Sequence, residues 1–339
     1  MPDLRRKRLV LLATGGTIAG AQSETQAGRY TAGSLNADDL IAAVPGLAAL
    51  ADLSCEQVAS VGSQNMTHAV WALLAARTTA LLADPDIDGV VITHGTDTLE
   101  ETAYFLSLTL PWSKPVVLVG AMRPATAMSA DGPANLYQAV ALAATEIAAR
   151  FGPVVLMNDE IHAAQGVQKM ASSGVAAFAS PNGARLGVVA GVQPIWAPHV
   201  APALDAAFTP TAARFDVRQH PAHTWPRVEI VYSHADAQGD AIDEAAVRSQ
   251  GIVLAGVGGG YATDALMAGM ERAVARGVVI VRATRTGSGF VARNIEVDDD
   301  AMGFMAAGWL NPAKARILLM LCLLAGHPPQ FIQDAFLRA

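Results

Sequence analysis

Short apolar runs that do not alternate with polar residues recur along this chain, each accompanied by a segment of helix length. Residues 9–13, 89–93, 115–119 and 153–157 are such runs, and 38–44, 67–83, 100–109 and 135–150 are the helical segments. A strand with one wet face alternates apolar and polar side chains. An unbroken apolar run needs cover on both faces, which helices provide over a parallel sheet. The expected fold class is therefore α/β. Composition agrees: 52% of residues are hydrophobic and 16% charged, the opposite of a disordered chain.

At 339 residues the chain is long for one core. A second set of strands is expected at 228–232, 251–255 and 278–282, with helices over 240–249, 262–276 and 311–324. The stretch 199–226 is rich in Pro, Ala and His, lacks clean periodicity, and is the expected linker between domains 1–198 and 227–339.

Charge and targeting signals narrow the partners. A net charge of −7 offers no attraction to nucleic acid or anionic lipid, and Arg5-Arg6-Lys7-Arg8 reads as a solvated chain end. The longest apolar run, 317–325, is far shorter than the ~20 residues a bilayer needs, so no membrane association is expected. The basic start followed by 9–13 imitates a secretory leader, but Gly15-Gly16 cuts the apolar stretch short, and a cytoplasmic protein is expected. Cys55 and Cys322 sit among apolar neighbours, as reduced thiols do, and neither a metal site nor a cofactor is expected.

Ligands of open parallel sheets bind at the carboxyl ends of the strands, so the loops there carry the chemistry. The loop Thr14-Gly15-Gly16-Thr17-Ile18-Ala19-Gly20 turns sharply after the first strand. It lacks both the lysine and spacing of a phosphate loop and the order of a dinucleotide fingerprint. The second loop, 93–102, reads THGTDTLEET. Helix capping accounts for some of its hydroxyls and carboxylates but does not call for so many, and a lone His94 reads as structural. The third holds Asn158-Asp159 with Lys169 downstream, in a chain whose other lysines are Lys7, Lys114 and Lys314. An amine, unlike a guanidinium, can lose its proton near neutrality and act as a base. A threonine hydroxyl needs such a base to become a nucleophile; a lysine kept neutral by burial or cationic surroundings could serve through a second hydroxyl or a water. Glycine-rich turns add backbone N–H donors for an oxyanion. These residues point to a small-molecule hydrolase using threonine and lysine, with the substrate open.

The runs ATGGTIAG at 13–20 and ITHGTDTLEET at 92–102 resemble the two signature segments of the bacterial L-asparaginase family. The resemblance extends in family order through GSQNM at 62–66, VGAMRP at 119–124, SADGPANLY at 129–137, MND at 157–159, EVDDDAMGF at 296–304 and LNPAKAR at 310–316, with spacing closer to the type II branch. It implies a larger N-terminal, flavodoxin-like, mostly parallel sheet domain and a smaller C-terminal α/β domain. It further implies hydrolysis of L-asparagine through a β-aspartyl-enzyme formed on Thr17, with Tyr30 and Glu296 completing the nucleophile's triad. Thr96, Asp97 and Lys169 form a second triad, which either deprotonates the attacking group or activates the hydrolytic water. Gly62, Ser63, Gln64, Gly95, Thr96, Asp97, Ala121 and Glu296 are the implied substrate-binding positions. Carboxylates of Asp97 and Glu296, helped by Gln64, suit the α-ammonium; Ser63 and nearby backbone amides suit the α-carboxylate. Residues 18–36, with Gln22, Glu24, Thr25, Gln26, Gly28 and Gly33, resemble a flap that closes over substrate. Glu296 is implied to reach a neighbouring subunit's site, in a homotetramer built as a dimer of dimers.

One segment departs from the family pattern. Where the family often reads GVGNGN, residues 256–261 read GVGGGY, with Tyr261 in place of a small polar residue. The expectation is that Tyr261 narrows the pocket and favours asparagine over glutamine. The alternatives are a dual glutaminase-asparaginase and, last, an amino-acid-binding protein without catalysis.

Overall fold

The computed structural model describes residues 5–22, 30–31, 37–183 and 185–339. The chain forms two compact units, the first running to Gln219 and the second from His220 to Ala339.

The strands of the first unit are β1 (Arg8–Gly15), β2 (Ala21–Gln22), β3 (Tyr30–Thr31), β4 (Asp52–Val61), β5 (Gly89–Thr93), β6 (Val116–Val119), β7 (Pro153–Met157), β8 (Glu160–Ala163), β9 (Gln168–Lys169), β10 (Phe178–Ala179), β11 (Arg185–Ala190) and β12 (Gln193–Trp196). Eight of them make one sheet in the order β12-β11-β8-β7-β6-β5-β1-β4. The five from β4 to β7 run parallel, and their spatial order is the 2-1-3-4-5 of flavodoxin-like sheets. Successive side chains of a strand point to opposite faces. Leu9, Leu11, Val91 and Val117 accordingly pack with Leu136 and Val140 of the helix Gly132–Ala143. The intervening Val10, Leu12, Val90, Ile92 and Leu118 are buried too, and the helices His68–Ala83 and Leu99–Thr109 pack on β4, β5 and β7 of the same sheet. Cover on both faces is why these strands read as unbroken apolar runs.

Three strands beyond β7 pair antiparallel, and the sequence reading did not single them out. Their burial is mixed, as is that of the edge strand β4, so no continuous apolar run marks them. Asn158 and Asp159, with φ of 50° and 65°, form the two-residue turn between β7 and β8. The helix expected over 135–150 begins earlier, at Gly132-Pro133, where proline suits a first turn. It ends at Ala143, because Thr145 takes an extended backbone and a short 3-10 segment, Glu146–Phe151, follows. Within 199–226 lie the helix Ala201–Asp205, a turn at Ala222–Thr224 and a bridge between Trp112 and Thr211.

The second unit has four parallel strands in chain order, β13 (Val228–Tyr232), β14 (Gly251–Gly256), β15 (Val279–Thr284) and β16 (Phe304–Ala306). Its helices Asp264–Ala275 and Pro312–Leu324 start at side-chain caps, Thr263 accepting from the Leu266 N–H and Asn311 from that of Lys314. A buried ion pair fastens the loops above this sheet. Arg282 grips Asp299 through both carboxylate oxygens at 2.6 and 2.7 Å, and both residues are almost wholly buried. The remaining guanidinium protons go to the carbonyls of Gly259, Gly260 and Ala292, and the Asn294 N–H donates to Asp299. Residues 259–261 and 292–299 are thereby held as one block.

Removing one partner of such a pair strands a buried charge. Arg282→Met is expected to destabilise the protein by about 3–5 kcal/mol. Arg227→Met, which breaks the exposed pair with Glu229, is expected to cost less than about 1 kcal/mol. Denaturant unfolding of the two variants side by side checks the contrast.

Candidate active site

The order of the parallel strands reverses beside β1, and an α/β sheet opens a crevice at such a point. The loops after β1, β4 and β5 meet there. Gly15 and Gly16 have φ of 101° and 83°, a region that disfavours side chains, and the Gly16 N–H donates to the Val61 carbonyl at 3.0 Å. The backbone then passes so close to Gly95 that a Cβ on Gly16 would lie 2.3 Å from the Gly95 Cα. This turn delivers Thr17, half-buried, at the start of the single-turn helix Thr17–Ala19. A cavity of about 330 Å³ opens at this point, lined by Gly16, Thr17, Gly62, Ser63, Gln64, Gly95 and Asp97.

Hydrogen bonds fix the walls. Ser63 is buried; its hydroxyl accepts from the Asp97 N–H at 3.0 Å, and its carbonyl accepts from the Thr98 hydroxyl at 2.8 Å. Thr98 stands at the N-cap position of the helix Leu99–Thr109, but its side chain makes no capping bond and ties the β4 loop to the β5 loop instead. Deeper in, the Thr14 hydroxyl donates to the Thr93 carbonyl at 2.8 Å, joining the ends of β1 and β5.

Lys169 lies on β9, in a two-stranded ribbon with β10, rather than in the loop directly after β7. Its Nζ donates to Thr96 Oγ1 at 2.9 Å and to Asp97 Oδ1 at 2.6 Å, and its backbone N–H is 3.4 Å from Glu100 Oε1. Its neighbours are thus a hydroxyl and two carboxylates, so of the two expected environments, burial and cationic surroundings, the second is absent among the described residues. The lysine side chain is largely buried, whereas Asp97 is more than half exposed and faces the cavity.

The other expected positions fall differently. Asn158 and Asp159 serve the hairpin turn, and Asp159 accepts from Gln138 at 2.5 Å. Ala121 is fully buried and is not among the lining residues of the cavity. Tyr30 pairs with Gln22 through the main chain; its side chain and the flap residues Glu24, Thr25, Gln26, Gly28 and Gly33 lie outside the described residues. Glu296 is an exposed residue of the second unit, and its carboxylate is hydrogen-bonded to Tyr261. Partial desolvation, and then the Glu296 carboxylate, push the Tyr261 phenol above its ordinary pKa. Among the described residues no group of three or more His, Cys, Asp or Glu could hold a metal ion, and no helix is long and apolar enough to cross a membrane.

Sequence reasoning missed the residues that brace these loops. Asp131 accepts from the Met122 and Arg123 N–H groups, both at 2.9 Å, and Asn135 links the Gly120 carbonyl to the Asn158 N–H. The signal was the DGPAN of 131–135, whose Pro133 marks a helix start, with Asp131 just before that start and Asn135 on its buried face.

The fold and its cleft define a two-unit α/β protein with a threonine-bearing polar site at the sheet's switch point. Comparison with known proteins agrees. The asparaginase N-terminal domain model matches residues 8–200, and the glutaminase/asparaginase C-terminal domain model matches 227–336. A "Probable L-asparaginase periplasmic" of Haemophilus influenzae is 42% identical, covering 97% of this chain and 92% of that protein. A "Glutaminase-asparaginase" of Acinetobacter glutaminasificans is 40% identical, over 98% of this chain and 99% of its own. The crystal structure of a "Probable Cytoplasmic L-asparaginase" from Campylobacter jejuni superposes with a TM-score of 0.90 at 43% identity, covering 98% of this chain and all of that one. This chain belongs to the asparaginase family.

His94, next to the cleft, is wholly buried, and burial lowers its pKa from 6.5 to about 4. A group whose folded pKa lies below its unfolded value stabilises the fold fully above the unfolded value, and that contribution is lost as pH falls toward the folded one. Between pH 6.5 and 4 the protein is expected to lose up to roughly 3 kcal/mol that a His94→Asn variant does not lose. Denaturant melts of both proteins across this range check the difference.

Proposed function

We propose that this protein is an L-asparagine amidohydrolase. The observation that carries the reading is that one cleft gathers Thr17, Ser63, Gln64 and Asp97, with Lys169 tied to Thr96 and Asp97 along one wall. Thr17 Oγ attacks the side-chain amide carbon, its proton passing to a neighbouring base, and the amide nitrogen leaves as ammonia. Water then hydrolyses the β-aspartyl ester to release L-aspartate and restore Thr17. Tyr30 assists Thr17, and Thr96, Asp97 and Lys169 serve the second triad. Asp97 and Glu296 hold the α-ammonium with Gln64, while Ser63 and nearby backbone amides hold the α-carboxylate; Gly62, Gly95 and Ala121 complete the proposed substrate-binding set.

Glu296 acts in a neighbouring subunit's cleft in this reading. Its exposure supports that, as do the exposed Phe290, Ile295 and Trp309 of the same unit, since apolar side chains of this size are commonly covered at subunit contacts. The proposed assembly is a homotetramer of two such dimers. The cytoplasm is the proposed compartment, supported by Cys55 and Cys322 both being thiols.

Some relatives are named glutaminase-asparaginases, so family membership alone leaves the amide's length open. Tyr261 favours the shorter one, because its phenol sits on the Glu296 carboxylate and takes up space there.

Ammonia release from L-asparagine and L-glutamine at matched concentrations tests the reading. L-Asparagine is expected to be the better substrate, and Thr17→Ala to reduce turnover by on the order of 10³-fold or more. Tyr261→Asn is expected to move the kcat/KM ratio toward glutamine by about tenfold, within what one methylene is worth. Equal turnover of both amides by the natural protein would discard the role of Tyr261. Mixing the inactive Thr17→Ala and Glu296→Gln proteins is expected to regain about a quarter of the activity, because a mixed dimer holds one intact site. No recovery after subunit exchange would sink the shared-site assignment.

A further inference from the structure

His94 follows β5 and sits at the end of a chain of buried hydrogen bonds. Trp71 Nε1 lies 2.9 Å from Thr102 Oγ1, Thr102 Oγ1 lies 2.9 Å from His94 Nε2, and His94 Nδ1 lies 2.7 Å from the Gly95 carbonyl. The two ends give the chain its direction. An indole N–H only donates, so Thr102 accepts from Trp71, which leaves its own proton available to His94 Nε2. A carbonyl only accepts, so the His94 proton is on Nδ1. Full burial keeps the ring neutral, so Nε2 accepts from Thr102 and Nδ1–H holds the Gly95 oxygen on the buried side of the loop.

That oxygen shares a peptide unit with the Thr96 N–H. The unit is planar and trans, so the two groups point in opposite directions. With the oxygen turned to the buried imidazole, the N–H is aimed away from the core, where Gly95 and Asp97 line the cavity. The adjoining Asp97 N–H is taken by Ser63. Among the described residues, the Thr96 N–H has no acceptor within the chain.

We infer that His94 is a positioning residue of the reaction: by holding the Gly95 carbonyl out of the cleft, it presents the Thr96 N–H to the amide oxygen as that oxygen becomes an oxyanion. Trp71 and Thr102 set the tautomer that allows this. The inference rests on the reading in which Thr17 attacks an amide carbon. A donor of this kind binds the tetrahedral intermediate more strongly than the planar amide, so its misalignment lowers kcat and leaves KM nearly in place.

Steady-state kinetics of ammonia release from L-asparagine test it, with the melting temperature of each variant measured in parallel. His94→Leu and Thr102→Val are expected to lower kcat by on the order of 10- to 100-fold, with KM changed less than about twofold. His94→Asn, whose side-chain amide N–H replaces the Nδ1–H, is expected to recover most of the lost kcat, and His94→Gln is not. A folded His94→Leu with undiminished kcat, an equal loss in His94→Asn and His94→Leu, or kcat falling only as the melting temperature falls would each overturn the inference. Should His94→Leu fail to fold, Thr102→Val decides: a natural kcat in that variant overturns the inference. A failure of the underlying reading looks different, since the unmodified protein would then release no ammonia from asparagine, or Thr17→Ala would keep its turnover.

Discussion

The backbone-to-backbone approach of Gly16 and Gly95 is the constraint on which the site depends. A Cβ on Gly16 would lie 2.3 Å from both Cα and N of Gly95, and one on Gly95 would lie 2.7 Å from Ser63 Oγ. No side chain fits in either place. With none present, the loops after β1, β4 and β5 close on one another, and Thr17, Ser63 and Asp97 come to line one small cavity. The parallel sheet brings these loop ends side by side, and the missing side chains let them touch.

Buried and half-buried hydrogen bonds then turn closeness into geometry. Thr14 joins the ends of β1 and β5, Ser63 and Thr98 join the β4 and β5 loops, and Asp131 and Asn135 brace the loop after β6. In a low-dielectric interior each such bond is strong and each lost partner costly, so the loops have few alternative arrangements. The second unit solves the same problem with charge. Arg282 spends every donor it has on Asp299 and on the carbonyls of Gly259, Gly260 and Ala292, and Asp299 accepts in turn from the Asn294 N–H, in the loops that carry Tyr261 and Glu296. Position there follows from an ion pair that cannot be broken without stranding a charge.

The strands under the site were legible in the sequence because they are buried on both faces, so β1, β5, β6 and β7 read as apolar runs within a residue or two of their ends. The strands β8, β11 and β12 were not, since they have mixed burial and no run to see. The TGGT and GTDT segments drew attention because glycines, hydroxyls and carboxylates gather there after a strand; tight turns and helix caps use the same residues, and it is the structure that brings both segments to one cavity. Asn158 and Asp159 were misleading: polar residues after a strand suit a site, and they also suit a tight turn, which is what they make. His94 read as structural, and it is buried, but its partners Trp71 and Thr102 are 23 residues before it and eight after it, so the chain of bonds through it was invisible.

By itself, the sequence determined the α/β class, the presence of two sets of strands and the family, since these follow from periodicity and from ordered motifs that survive in one dimension. The tertiary structure decided which residues share a wall, which hydroxyls brace and which face the cavity, and the company that Lys169 keeps. It also decided the direction of the Gly95–Thr96 peptide. The physical reason is that these outcomes depend on contacts between residues tens of positions apart, as Ser63 with Asp97 and Thr96 with Lys169 show, and such pairings exist only once the sheet has placed its loop ends together.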